Sequence, residues 1–208
     1  MMNRAKGPVW HKKDKERNIV PKKLHGLDKQ ATWSKSAYDN WVYGHGSFCI
    51  VTHDIPVVGC FMWMRNSANE AKRMYQEARH YAGILDHLVM DSKADDQHLL
   101  HDLKEQYNIQ LVTSCRKHMD KSPSRKHMIA LMNTHRLKQH FRQRSKTVEP
   151  MQGLIKDIFD IDRCWMRRDD NNRWLFAAMG LAVQIHQLDA YRNQRSTWNI
   201  KTAVLGEA

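Results

Sequence analysis

The stretch GSFCIVTHDIPVVGCFMWM, followed at once by NSANEAKRMYQEARHYAGIL, constrains the fold most, because the periodicity of the chain changes between the two. Ser47–Thr52 and Pro56–Met64 are runs rich in β-branched and aromatic residues on either side of His53–Asp54, which predicts a β-hairpin. From Ser67 the spacing turns helical. Ser67 and Glu70 have the separation of a capping box, in which each side chain satisfies the other's orphan backbone donor. Ala68, Ala71, Tyr75, Ala78 and Ala82 then mark one helical face, and Gly83 ends it. A strand is predicted from Leu85 to Asp91. Asp95 can cap a further helix with the apolar stripe Leu99, Leu100, Leu103 and Tyr107, and IQLVTS is another β run. A hairpin followed by helix, strand, helix and strand predicts a mixed α/β fold.

The 208 residues suit one domain with a sizeable core. Residues 1–46 are rich in Gly, Pro and Lys, with Trp10, Trp33 and Trp41 scattered among them, and read as extended or loop structure laid on a core. Residues 47–115 supply the alternating elements, 116–146 a basic stretch with a helical segment near Met128–Phe141, and 147–208 the C-terminal helices. In VEPMQGLIKDIFDI, Pro150 reads as lying just inside a helix start, where its missing N–H costs nothing. Met151, Leu154, Ile155, Ile158 and Phe159 form the face to be buried, with Glu149, Gly153 and Lys156 opposite. Arg173–Arg195 reads as a long helix with an apolar middle.

Charge narrows the partners. Lys and Arg number 34 against 22 Asp and Glu, a net charge of +12. Residues 1–25 hold eight bases and two acids, and residues 116–146 ten bases and one acid, so the remainder sums to −3. A net +9 over 31 residues exceeds what solubility requires and points to a phosphate-rich partner, since Lys and Arg gain affinity by releasing condensed counterions. Nucleic acid is the reading that the charge favours, and an anionic membrane surface is its competitor. No run of 18 apolar residues and no secretory signal is present. The four cysteines form no C-x-x-C pair and read as buried free thiols, and most of the 13 histidines lie in polar segments.

Two carboxylates stand out. Asp91 follows a strand and Glu149 lies on the outer side of a helix. Phosphodiester chemistry needs hard oxygen ligands for divalent ions, which such residues supply. Each also has a plain alternative, Asp91 as a cap and Glu149 as an acid favoured near a helix N-terminus.

The strings AKGPVWHKKD, IVPKKLHGLDKQATWSKSAYDNWVYGHGSF, NSANEAKRMYQE, RSKTVEPMQGLIKDIFDIDRCWM and NRWLFAAMGLAVQIHQLDAYRNQRSTWNIK resemble the catalytic domain of DDE transposases of bacterial insertion sequences, over nearly the whole chain. The resemblance implies an RNase H-like fold, a mixed sheet flanked by helices, with acids on the first strand, at the end of the fourth and on a later helix. It matches Asp91 to the second acid and Glu149 to the third. Lys156 matches the lysine of the family's Tyr–Arg–Glu–Lys signature, which meets DNA phosphate near the cut. Arg144 and Phe141 approximate its Arg and Tyr, each one residue farther from Glu149 than usual and with Phe in place of Tyr. Arg136, Lys138, Arg142 and Lys146 would hold the DNA backbone.

The reaction so implied is strand cleavage at an insertion-sequence end, dependent on Mg2+ or Mn2+ held by Asp91 and Glu149, then attack of the freed 3′-hydroxyl on target DNA. Its setting would be the cytoplasm at the nucleoid, with transposon ends and target DNA as partners, a homodimer as a further arrangement, and no membrane. In relatives the first acid lies just before the segment resembling AKGPVWHKK. Residues 1–7 contain no Asp or Glu, so the resemblance places that acid and the opening strand upstream of Met1. Asp14 follows in a Lys-rich stretch, and Asp28, Asp39 and Asp54 read as loop or turn residues. Cleavage is then expected to be impaired, and the alternative is a non-catalytic, basic DNA-binding remnant.

Overall fold

A computed structural model describes residues 1–36, 40–116 and 122–205. They form two compact units, Met1–Ala68 together with Thr147–Ala208, and Asn69–Lys146. The fold is mixed α/β. Among the described residues no helix is long and apolar enough to cross a membrane.

The first unit is built on an antiparallel sheet of β1 (Met2–Arg4), β2 (Thr32–Ser36), β3 (Asn40–Val51) and β4 (Val58–Arg65). The central strand is β3. Its Gly44 faces Arg4 on one edge and Thr32 on the other, while His45 faces Asn3 and Arg65. β1 therefore lines one edge, and β2 and β4 share the other end to end. The β3–β4 hairpin forms where the two β-rich runs placed it, but β3 starts at Asn40, well ahead of Ser47. The glycines that made NWVYGHG read as loop instead admit a neighbour. A Cβ on Gly44 would lie 1.9 Å from the Asn3 carbonyl oxygen, so only glycine lets β1 approach.

Residues 1–46 are thus not all loop, since they contribute β1, β2 and the short helix α1 (Lys12–Glu16). The rest of this segment folds over the sheet around Ala5, Trp10, Ala31 and Tyr43. Indole N–H groups pin it: Trp10 Nε1 donates to the Ile19 carbonyl and Trp33 Nε1 to that of Trp10, each at 2.9 Å.

In the second unit, α2 (Glu70–Ala78) is followed by β5 (His87–Val89), α3 (Gln97–Tyr107), β6 (Gln110–Val112) and α4 (Pro123–Met132). β5 and β6 pair in parallel, with α3 as the crossover such a pair requires. Two expected caps shift by a residue or two. Asn69 rather than Ser67 caps α2, its side chain accepting from Lys72 N, and Asp96 rather than Asp95 caps α3 through His98 N and Leu99 N.

The helix α5 (His135–Phe159) belongs to both units and runs unbroken for 25 residues, about 37 Å. Pro150 therefore lies in its interior and not just inside its start. Met151, Ile155 and Ile158 are buried, and Leu154 and Phe159 pack beside them, as their spacing predicted. They join Val58 and Phe61 of β4 and Leu175, Phe176, Met179 and Val183 of α6 (Asp169–Arg192) in the main core, and α7 (Ile200–Leu205) closes the chain. Packing of this face offsets the cost of Pro150, which removes the hydrogen bond to the Lys146 carbonyl. Pro150→Ala is expected to stabilise the protein by about 2 kcal/mol, the helix-interior gain less the added freedom of the unfolded chain. Thermal unfolding followed by circular dichroism would then shift upward by about 4–8 °C. An unchanged midpoint would mean that the helix does not run through residue 150.

Candidate functional site

Phe141, Arg144, Lys156 and the four cations Arg136, Lys138, Arg142 and Lys146 all fall on α5. Lys138, Arg142 and Lys146 stand at i, i+4 and i+8, so they share one side of the helix, and all three are exposed. From His135 to Val148 the chain has no acid. Like charges at i, i+4 destabilise a helix by a few tenths of a kcal/mol each, so this ridge is a cost that folding alone does not explain. Arg136 is exposed as well. Phe141 turns the other way. Its ring packs against Val112, Met128, Met132 and Leu137, with the Arg144 guanidinium over it at 5.8 Å. These two residues thus build the inner side of the helix in the second unit. Lys117 and Lys121 of the basic stretch lie outside the described residues, as does Asp39.

Arg125 is not part of any such ridge. The basic stretch was expected to face phosphate throughout, but the Arg125 guanidinium makes a two-pronged pair with the Asp95 carboxylate, one prong Nη2 to Oδ2 at 2.7 Å. Side-chain exposures are 9% for Arg125 and 3% for Asp95. Asp95 Oδ2 also accepts from Arg116 N, and Arg125 Nη2 donates to the Arg116 carbonyl.

In the first unit, Glu149 is exposed on the outer side of α5, and Lys156 lies two turns beyond it. Lys156 Nζ donates to Asp162 Oδ1 at 2.7 Å, and that bond holds the Asp162 carboxyl below its ordinary value. Arg125 and Lys156, two of the cations expected to meet phosphate, are thus paired with carboxylates of the protein itself.

Asp91 lies in the second unit, two residues past the C-terminal end of β5. Ligands of open α/β sheets bind beyond the carboxyl ends of parallel strands, which is where this carboxylate stands. It is also a cap. Oδ1 accepts from Lys93 N at 2.9 Å and begins the 3-10 turn Ser92–Ala94, while its carbonyl accepts from Thr113 Oγ1 at 2.7 Å. Lys93 in turn pairs with Glu70 at 2.7 Å.

Magnesium takes oxygen ligands in octahedral array, often one or two protein carboxylates with water and phosphate filling the rest. Asp91 and Glu149 have that donor chemistry, yet the described residues contain no group of three or more His, Cys, Asp or Glu that could hold a metal ion. The four cysteines are free, and burial pushes the Cys49 and Cys164 thiols up to about 12, which leaves them inert.

A buried polar network was missed from the sequence. Asp28, expected in a loop, is 1% exposed. Its Oδ2 accepts from His45 Nε2 at 2.9 Å and from Arg168 N at 3.1 Å, and its Oδ1 accepts from Gln30 N at 3.1 Å. Trp63 Nε1 donates to His45 Nδ1 at 3.0 Å, so the imidazole is the neutral tautomer with its proton on Nε2.

No family model matches the chain, and neither a curated protein nor a solved structure matches it.

Proposed function

We propose that this protein binds DNA through the outward side of α5, as a protein of the DDE transposase kind. The observation that carries the reading is the acid-free run from His135 to Val148, whose Lys138, Arg142 and Lys146 project together from a helix anchored by its other face. A row of cations on a packed helix holds its charges in register with phosphates without ordering a loop on binding. The reading brings an RNase H-like fold with it, supported by the order of an antiparallel sheet followed in the chain by the parallel β5–α3–β6 unit. Cleavage and 3′-hydroxyl transfer rest on the resemblance of the sequence strings. Asp91 and Glu149 are the carboxylates assigned to that chemistry.

Fluorescence anisotropy on labelled duplex DNA across a salt series tests the proposal. Replacing Lys138, Arg142 and Lys146 together by Gln should weaken binding about 100-fold near physiological salt. The slope of log K against log salt should flatten by about 0.9 for each phosphate that a removed cation had neutralised. An unchanged slope would remove α5 as the DNA surface.

A second reading, the non-catalytic DNA-binding remnant, is favoured by the capping role of Asp91 and by the lack of a three-ligand group among the described residues. Asp91→Asn separates the two, because Asn caps as well as Asp but carries no charge. The transposase reading expects Mg2+ binding that this substitution weakens, and at most weak nicking, which it abolishes. The remnant reading expects no nicking, and binding that is equal with and without Mg2+ and in both proteins.

A further inference from the structure

Helix α6 is apolar on both sides. Its inner side is occupied: Phe176 stacks on Phe61 with centroids 5.6 Å apart, and a Cβ on Gly180 would come within 3.0 Å of Phe61, so the helix lies directly on β4. The opposite side carries Trp174, Leu181, Ile185, Leu188 and Tyr191, exposed by 79, 58, 57, 51 and 59%. A helix that is hydrophobic all round is ordinarily a buried one. Trp174, Ala178, Leu181, Ile185 and Leu188 follow one another at steps of four, three, four and three, the seam spacing that meets another helix.

We propose that this stripe is a self-association surface, on which α6 of a second copy lies antiparallel with the two-fold axis at Leu181. The charges at its ends favour that occupant. Asp170 and Arg192 both lie eleven residues from Leu181, so antiparallel pairing sets Asp170 of each copy level with Arg192 of the other. A parallel pair would set like charges together. The same symmetry lays Trp174, seven residues before the centre, beside Leu188, seven residues after it. The polar residues flanking the stripe carry both signs, unlike the Lys- and Arg-rich flank of a helix that lies on a membrane surface. Antiparallel helices also oppose their dipoles.

The area is sufficient. With an aromatic side chain presenting about 150–250 Å², the exposed fractions leave on the order of 500 Å² on each copy, and the pair buries about 1,000 Å² before flanking residues are added, the threshold for a specific interface. A net charge of +12 on each copy opposes the approach, so association should strengthen as salt rises. DNA binding runs the opposite way, and the proposal does not depend on it.

Sedimentation velocity on nuclease-treated protein in high salt is the test. A species of twice 24.6 kDa, growing with protein concentration, is expected. Leu181→Glu faces two carboxylates across the axis and should weaken the dimer about 30-fold or more while the circular dichroism spectrum is kept, because this side chain is exposed. Arg192→Asp should also weaken it, and Asp170→Arg added to Arg192→Asp should restore it. A single 24.6 kDa species at the highest soluble concentration overturns the proposal, as does a dimer indifferent to Leu181→Glu or one that the double charge exchange fails to restore.

Discussion

Arg125→Met is expected to destabilise the Asn69–Lys146 unit by about 3–5 kcal/mol, the cost of leaving one member of a buried ion pair alone. The Asp95 carboxylate would stay buried with no cation beside it in the pair, keeping the Arg116 N–H. A lone buried charge relieves itself by taking up a proton, so the loss should be largest at neutral pH and shrink as acid neutralises Asp95. All seven tryptophans lie in the other unit. Hydrogen exchange resolved by peptide, with tryptophan fluorescence as the control, can therefore assign the loss to one unit. Asp95→Leu combined with Arg125→Met removes both charges and should recover most of the stability, short by about 1 kcal/mol for the acceptor that Arg116 N loses. If Arg125→Met instead weakens DNA binding and leaves stability unchanged, the guanidinium faces phosphate and the pair with Asp95 is wrong.

Asp28→Ala should cost nearly as much, about 3–4 kcal/mol, and in the first unit. Three donors lose their acceptor at once: Gln30 N–H, Arg168 N–H and the Nε2–H of His45, whose side chain is fully buried. Arg168 adopts φ +73°, a left-handed conformation that is costly for any residue with a side chain, and Asp28 holds its N–H in place there. The loss of that bond should loosen the start of α6 as well as the loop, and Trp63 beside His45 reports it by fluorescence during urea unfolding. Asp28→Asn should be milder, since the amide oxygen can keep one or two of the three bonds. An Asp28→Ala protein that unfolds like the parent would sink the network.

Both carboxylates give the protein the same acid limit. Burial alone would raise the Asp28 and Asp95 carboxyls, but hydrogen bonds from His45 and backbone N–H groups in one case, and from Arg125 and Arg116 N in the other, carry each below its ordinary value. An unfolded aspartate titrates at about 3.9. A carboxyl lowered on folding contributes its full stability above that value and loses it as pH falls through the folded value. Unfolding should therefore set in only below about pH 4, and stability should be flat toward neutrality as far as these two groups decide it.

Local patterns in the chain were sufficient for several elements. The β-branched and aromatic runs Ser47–Thr52 and Pro56–Met64 announced the hairpin, because such side chains fit a pleated, half-buried surface. The spacing of Met151, Leu154, Ile155, Ile158 and Phe159 announced which side of α5 is buried, because helical period and burial are both local consequences of where apolar residues fall. The ten bases of residues 116–146 could be counted without a structure. Which of them face outward could not.

Partner choice is where sequence reading stopped. Asp28 is a loop aspartate until residues 17 and 140 positions away close on it, and nothing in its neighbourhood marks the distant donors. Arg125 looks like any cation of a basic stretch until Asp95, 30 positions earlier, withdraws it from solvent. Pro150 is a helix-starter by local rule, yet α5 runs through it because packing on both sides outweighs one missing hydrogen bond. Periods, turns and charge content are written over neighbouring residues, and the sequence by itself determined them. Burial of a charge, the continuity of a strained helix and the approach of β1 across Gly44 are decided by segments far apart in the chain, and only the tertiary structure, where their energies are summed, decided those.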